Sequence, residues 1–192
     1  MTIRCPVYLD IDLGTENEMA EMTAERQAPQ QNESNTSLKR RVCFVCTGNT
    51  CRSPMAEAVA NALAQEQCKH GDSASTEAFS RGLYALENDP ISTGAVHALE
   101  EAEVRVIEGH DYHAHVAHAL RVDEVDSFDL LIGMTGSHVM ELLMRYPQAA
   151  GKILCMPRPI SDPYGGSDAV YLRCLSEITE GVRALLFSEE QI

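Results

Sequence analysis

Residues 46–53 read Cys-Thr-Gly-Asn-Thr-Cys-Arg-Ser, and the apolar run Val42-Cys43-Phe44-Val45 leads directly into them. A cysteine followed, after five residues, by Arg-Ser at a strand-to-helix junction has the makings of a nucleophile set beside an anion. Cysteine attacks only as the thiolate, and an ordinary thiol has a pKa of about 8.5. No histidine adjoins Cys46 in sequence. The helix start that follows it, with unpaired N–H groups and the positive end of the dipole, favours the negative charge instead. The same N–H groups are suited to cradle three phosphate oxygens. Gly48 is expected to let the chain turn back around the anion. Asn49 tolerates the left-handed conformation that such a loop requires. Arg52 offers a planar fork to two phosphate oxygens. The Ser53 hydroxyl can donate to the Cys46 sulfur and ease its departure from a phosphorylated intermediate. A bare Cys-x5-Arg usually marks a buried cysteine and a solvated arginine; here strand, glycine, serine and helix all agree on the functional reading. A nucleotide P-loop is excluded, because GxxxxGK[ST] does not occur.

Attack on phosphorus also needs a proton for the leaving group and, later, activation of water, both within reach of one carboxylic acid. The candidate is Asp162, in Ile160-Ser-Asp-Pro-Tyr-Gly-Gly166. Pro163 stiffens this segment and the two glycines permit a tight loop before the last helix. Tyr164 can wall the cleft and stack on a flat substrate group.

The two motifs together, VCFVCTGNTCRSPMAEA and DPYGGS, resemble the low-molecular-weight protein tyrosine phosphatase family, from about Val42 to Leu186. The resemblance implies a covalent phosphocysteine on Cys46, phosphate binding by Arg52 and general acid–base work by Asp162. It implies a phosphate-binding set of Thr47, Gly48, Asn49, Thr50, Cys51 and Ser53, with Tyr164 at the cleft, and it calls for no cofactor and no metal. Ser80, in Phe79-Ser-Arg-Gly, and His115, in His-Val-Ala-His-Ala-Leu120, resemble members of the network that holds the loop in shape. Cys51 matches a second loop cysteine that forms a reversible disulfide with the nucleophile in parts of the family. Thr50 resembles the bacterial protein arginine phosphatase-like branch, whereas tyrosine-directed members usually carry a larger aliphatic residue there. The implied partners are phosphorylated proteins, with a cognate kinase as the opposing enzyme. The alternative on the same fold is a thiol-dependent arsenate reductase. That chemistry needs resolving cysteines on a segment able to reach the loop, and residues 82–154 contain none.

The elements that must position these groups are legible as a βα alternation. Strands are expected at residues 42–46, 77–80, 130–134 and 152–156, and helices at 54–67, 92–103, 137–146 and 168–187, with Ser53 as the first N-cap. Alternating elements predict an α/β fold: three layers, α/β/α, around a four-stranded parallel sheet with helices on both faces and the phosphate loop after the first strand. Residues 39–192 read as the catalytic domain. Residues 1–38 carry seven acidic residues against two basic ones and a polar run at 27–37, a composition that reads as a flexible extension. The run 7–11 is a weaker edge-strand candidate.

The net charge of −14 argues against nucleic-acid or anionic-membrane partners. It also repels anionic substrates at long range, so a phosphate site must rely on local donors, helped by screening beyond about 8 Å in physiological salt. Seven cysteines without a disulfide-scaffold spacing fit a reducing cytoplasm. No signal segment or membrane span is read from the sequence. His110, His113, His115 and His118 cluster, but lack paired cysteines or acids at ligand spacing.

Overall fold

The computed structural model of the chain describes residues 39–69 and 76–187. The extension 1–38, including the run at 7–11, lies outside the described residues. Four strands, β1 (Arg40–Cys46), β2 (Thr76–Gly82), β3 (Leu130–Gly133) and β4 (Ile153–Cys155), form one parallel sheet in the order β2-β1-β3-β4. Four helices alternate with them: α1 (Arg52–Lys69), α2 (Thr93–Glu101), α3 (Gly136–Arg145) and α4 (Asp168–Leu186). No described helix is long and apolar enough to cross a membrane.

The period-2 geometry of β1 divides the core. Val42, Phe44 and Cys46 face a cluster built by α1, α2 and α4, with Met55, Leu99, Tyr171 and Ile178. Cys43 and Val45 face the other cluster, with Leu142 of α3 and Tyr146 just after it, and with Val125 of the short 3-10 segment Val122–Ser127 and Phe128 just after that. A strand covered on both faces must be apolar throughout, which is why Val42–Cys46 does not alternate in polarity. Each fully buried side chain such as Phe44, Met55 or Ile132 contributes about 1.5–3 kcal/mol. The outer edge of β2 is closed from α1: Asn61 donates to the Ala78 carbonyl and accepts from the Ala78 N–H, both at 2.9 Å. One buried amide thus satisfies an exposed strand edge and fixes α1 on the sheet.

The strand order places β1 between β2 and β3, so the chain leaves β1 toward one neighbour and returns on the other side. Open α/β sheets bind ligands in the crevice beyond the carboxyl ends of strands at such a switch point. Cys46 is the last residue of β1.

Several boundaries differ from the sequence expectation for local reasons. Helix α1 starts at Arg52, so Ser53 is inside it rather than its N-cap. The carbonyl of Cys51 accepts from Met55 N–H, and the Ser53 hydroxyl is committed to the loop. Strand β2 runs to Gly82, in register with Cys46, beyond the expected 77–80. Helix α2 is shorter than 92–103: Ser92 is its N-cap, accepting from Ala95 N–H, and Glu103 takes a left-handed φ of 51° that a helix cannot continue through. Thr135 caps α3 in the same manner, accepting from His138 N–H.

Candidate active site

The loop between β1 and α1 is held from outside by its carbonyl groups. Leu83 and Tyr84 N–H donate to the carbonyls of Cys46 and Thr47 at 2.9 and 2.8 Å. His115 Nε2 donates to the Asn49 carbonyl at 2.9 Å, Ser92 N–H to that of Thr50 at 2.8 Å, and Met55 N–H to that of Cys51 at 3.2 Å. In a trans peptide the next N–H points opposite to the carbonyl, and no described peptide is cis. With Thr47, Asn49, Thr50 and Cys51 carbonyls all turned outward, the N–H groups of Gly48, Thr50, Cys51 and Arg52 are turned the other way. The result is a ring of donors around the mouth of the strand.

The left-handed residue of this ring is Asn49, at φ 57°. Asn49 is the residue expected to tolerate that conformation; Gly48, expected to let the chain turn back, has no positive φ, and a Cβ there would only touch Thr50 Oγ1 at 3.7 Å. Asn49 carries the conformation because its side chain is spanned by partners. Its Nδ2 donates to Ser53 Oγ at 3.0 Å and to Ser80 Oγ at 2.9 Å, and its Oδ1 accepts from His118 N–H at 2.9 Å. Ser80 and His115, singled out from the resemblance, both lie in this network. Burial lowers the His115 pKa, so the ring is neutral at pH 7, and the carbonyl partner requires the proton on Nε2.

Cys46 Sγ lies 3.0 Å from Ser53 Oγ and accepts from Asn49 N–H at 3.3 Å. Ser53 Oγ already accepts from Asn49 Nδ2, which leaves its own proton for the sulfur at 3.0 Å or the Arg81 carbonyl at 3.4 Å. Both contacts are aimed at the sulfur of a residue only 3% exposed. Arg52 is only 7% exposed, and its NH2 donates to Asp162 Oδ2 at 2.8 Å. Its Nε is buried without a hydrogen-bond partner among the described residues. An unpaired buried guanidinium N–H beside a ring of amides is what an oxyanion with several acceptor lone pairs satisfies. Asp162 arrives over a hundred residues later in sequence, on the loop between β4 and α4. Its Oδ1 accepts from Tyr164 N–H at 3.2 Å, and Gly165, at φ 74°, turns the chain back toward α4. Tyr164 is 78% exposed at the rim.

Cys51 is held from α2 and α4. Its thiol donates to Ser92 Oγ at 3.2 Å and lies 3.6 Å from the Tyr171 hydroxyl, and both loop cysteines are free thiols. The neighbouring histidines separate to different partners: His110 to Glu57, His113 to Asp111 and Glu100, His118 to Glu87.

Four residues of this site escape sequence reasoning. Glu57, one helical turn after Ser53, accepts the Ser80 hydroxyl at 2.6 Å. Its i+4 spacing from Ser53 was the available signal. His138 on α3 bridges Thr47 Oγ1 at 3.0 Å and Thr135 Oγ1 at 2.7 Å. Burial, reinforced by the Arg52 charge, pushes His138 down to about 4, so it is neutral where it touches the loop. Ser92 and Tyr171 hold Cys51. Nothing local in the sequence ties His138 or Tyr171 to residues 47–51. Gly82 is a different case: a Cβ there would sit 2.9 Å from the Thr47 carbonyl oxygen and 3.1 Å from Asn49 N. Gly82→Ala is therefore expected to cost about 1–3 kcal/mol and to displace the ring. A thermal melt and the inhibition constant for inorganic phosphate both report it; unchanged phosphate inhibition would contradict the close packing.

With this geometry in view, known proteins give a consistent comparison. The model of the family described as low molecular weight phosphotyrosine protein phosphatase matches residues 41–192. A protein-arginine-phosphatase of Bacillus subtilis is 30% identical over 151 residues, covering 75% of this chain and 93% of the relative. A low molecular weight protein-tyrosine-phosphatase of Streptomyces coelicolor is 32% identical over 167 residues, covering 76% and 91%. The crystal structure of the low molecular weight protein tyrosine phosphatase from T. tengcongensis superposes with a TM-score of 0.67 at 35% identity, over 77% of this chain and 97% of that one. The chain belongs to the low molecular weight phosphotyrosine protein phosphatase family, and is a protein phosphatase of the cysteine-dependent type.

Proposed function

We propose that the chain hydrolyses phosphoarginine or phosphotyrosine on proteins through a phosphocysteine on Cys46. The thiolate sulfur attacks phosphorus, the S–P bond forms, and the P–N or P–O bond to the substrate side chain breaks. Protonated Asp162 gives its proton to the leaving nitrogen or oxygen. In the second step the Asp162 carboxylate takes a proton from water, which attacks phosphorus, and the Cys46 thiolate departs with the Ser53 hydroxyl as its donor. Arg52 and the loop N–H groups hold the equatorial oxygens, whose charge is stabilised most in the transition state. The observation that carries this reading is the outward anchoring of the loop carbonyls around Cys46, with the unpaired Nε of buried Arg52 beside it.

Within this chemistry, phosphoarginine is slightly favoured. Thr50 is half-buried, with its carbonyl fixed by Ser92, so its short side chain sits at a rigid point of the ring. A hydroxyl there can orient the hydrolytic water, and a guanidinium leaving group can pair with Asp162. The relative in Bacillus subtilis, named a protein-arginine-phosphatase, supports this preference. Phosphotyrosine is the second reading, favoured by the exposed Tyr164 ring, which can stack on a phenol. Thr50→Ile is expected to move the ratio of kcat/KM values toward phosphotyrosine by roughly tenfold, the size of effect that one or two methylenes exert in a pocket. Side-by-side hydrolysis of phosphoarginine and phosphotyrosine peptides measures it, with Cys46→Ser as the inactive control. An unchanged ratio removes Thr50 as the discriminator.

Thiol-dependent arsenate reduction fits less well. Cys155 lies on β4, and buried Cys174 lies on α4, where its thiol is bonded to a carbonyl. Neither is placed on a loop beside Cys46. We assign residues 39–192 as the catalytic domain, supported by the span of the family match, with residues 1–38 as an appendage to it. The opposing enzyme is a protein kinase, and the thiol chemistry suits a reducing compartment such as the cytoplasm.

A further inference from the structure

Asp162 sits on a loop, yet proton transfer requires it to be placed within hydrogen-bond reach of the leaving atom. The loop is fixed in stages. Met156 N–H donates to the Gly133 carbonyl and Ile160 N–H to the Met134 carbonyl, each at 3.0 Å, which ties the segment to the end of β3. The Ile160 side chain is 2% exposed and anchors it in the core. The next residue, Ser161, is gripped from α4 on both of its backbone groups. Its N–H donates to Glu177 Oε2 at 3.3 Å, and its carbonyl accepts from the Cys174 thiol at 3.4 Å. Cys174 and Glu177 are three residues apart and so share one face of the helix. Burial pushes the Cys174 thiol up to about 12, with the neighbouring Glu177 charge adding, so it keeps its proton and remains a donor. Immediately after Ser161 the Asp162 carboxylate reaches Arg52, and buried Pro163 and the Gly166-to-Pro163 hydrogen bond close the turn.

We propose that Cys174 and Glu177 are positioning residues for the reaction: by holding both backbone groups of Ser161, they set where Asp162 delivers its proton. This rests on Asp162 acting as the general acid. Neither side chain touches the substrate in this account. Both act on the backbone that carries the acid, and a small misplacement of a catalytic group is costly in rate.

The chemistry gives the test a signature that loss of folding does not share. A leaving group of high pKa needs the proton, whereas one of low pKa departs as the anion. Phenyl phosphate, with a leaving group near the tyrosine pKa of about 10, depends on the acid. Dinitrophenyl phosphate does not. The double variant Cys174→Ala/Glu177→Ala is expected to lower kcat/KM for phenyl phosphate by roughly tenfold, a fraction of the 10²–10⁴ that general acid–base catalysis contributes. The value for dinitrophenyl phosphate should stay within about twofold, since the acid's contribution is absent there. Cys174→Ser, which keeps a donor to the Ser161 carbonyl, should retain most of the phenyl phosphate activity. The ratio of the two substrates is independent of how much enzyme is folded. Equal losses on both substrates, or no loss on phenyl phosphate, overturn the proposal. Asp162→Asn, run alongside, separates the two layers. If it shows no leaving-group dependence, the general-acid reading itself fails and takes the proposal with it. If it does and the double variant does not, only the positioning role is lost.

Discussion

Replacing Cys46 by serine is expected to lower turnover of phosphopeptides on the order of 10⁴-fold or more, the scale of removing a covalent nucleophile. Phosphate binding should survive. The two hydrogen bonds to the sulfur, from Asn49 N–H and Ser53 Oγ, can be accepted by a hydroxyl oxygen, and the ring of outward-anchored carbonyls does not involve the thiol. What is lost is the sulfur nucleophile, since a serine hydroxyl is a weak one without a base beside it. Exchanging sulfur for oxygen at buried Cys46 changes the side-chain volume little, so the thermal midpoint should move little. Steady-state kinetics and calorimetry with inorganic phosphate separate the two effects. Retained turnover would exclude Cys46 as nucleophile, and loss of phosphate affinity along with turnover would indicate that the loop had collapsed.

Arg52→Lys keeps the charge and is nonetheless expected to cost roughly 10³-fold in kcat/KM, the lower end of what a transition-state arginine contributes. The guanidinium spans two tasks at once: its NH2 holds Asp162 at 2.8 Å, while its buried Nε has no partner among the described residues. An ammonium is a point charge without the fork, and cannot meet Asp162 and a phosphate oxygen in one fixed plane. Competitive inhibition by inorganic phosphate should weaken in parallel. The Arg52–Asp162 pair itself is half open to solvent on the carboxylate side, at 55% exposure, so its contribution to stability is small. Activity of Arg52→Lys within tenfold of the parent would show that a diffuse positive charge suffices.

The motif that names the reaction was legible because its chemistry is local. Cys46, Arg52 and the helix start lie within one loop, and the βα alternation around them follows from apolar runs and helix-forming stretches whose positions were expected correctly, if not their ends. Conformational roles inside the loop were legible in part. The left-handed residue is Asn49, as its tolerance of that conformation suggested, and its three polar contacts tie the position to Ser53, Ser80 and His118; Gly48 has no positive φ. Ser53 was read as a cap because serine before proline usually is one; the need to present a proton to Cys46 overrides that use. Glycine's importance appears instead at Gly82, where the reason is a backbone 2.9 Å away and not a turn. His138 and Tyr171 were beyond reach for a simpler reason. They meet the loop across separations of 91 and 120 residues, and only the packing of α3 and α4 brings them there.

The central claim is a covalent phosphocysteine, and it can be observed. Asp162→Asn enzyme, mixed with an aryl phosphate of good leaving group and quenched in acid, should accumulate the intermediate, because attack proceeds while activation of water is impaired. Mass spectrometry of the digested protein should find one phosphoryl group on the peptide that carries Cys46, and none when Cys46 is replaced by alanine. Turnover in the parent enzyme with no phosphoryl group ever trapped on Cys46, or a phosphoryl group trapped on another residue, would contradict the account.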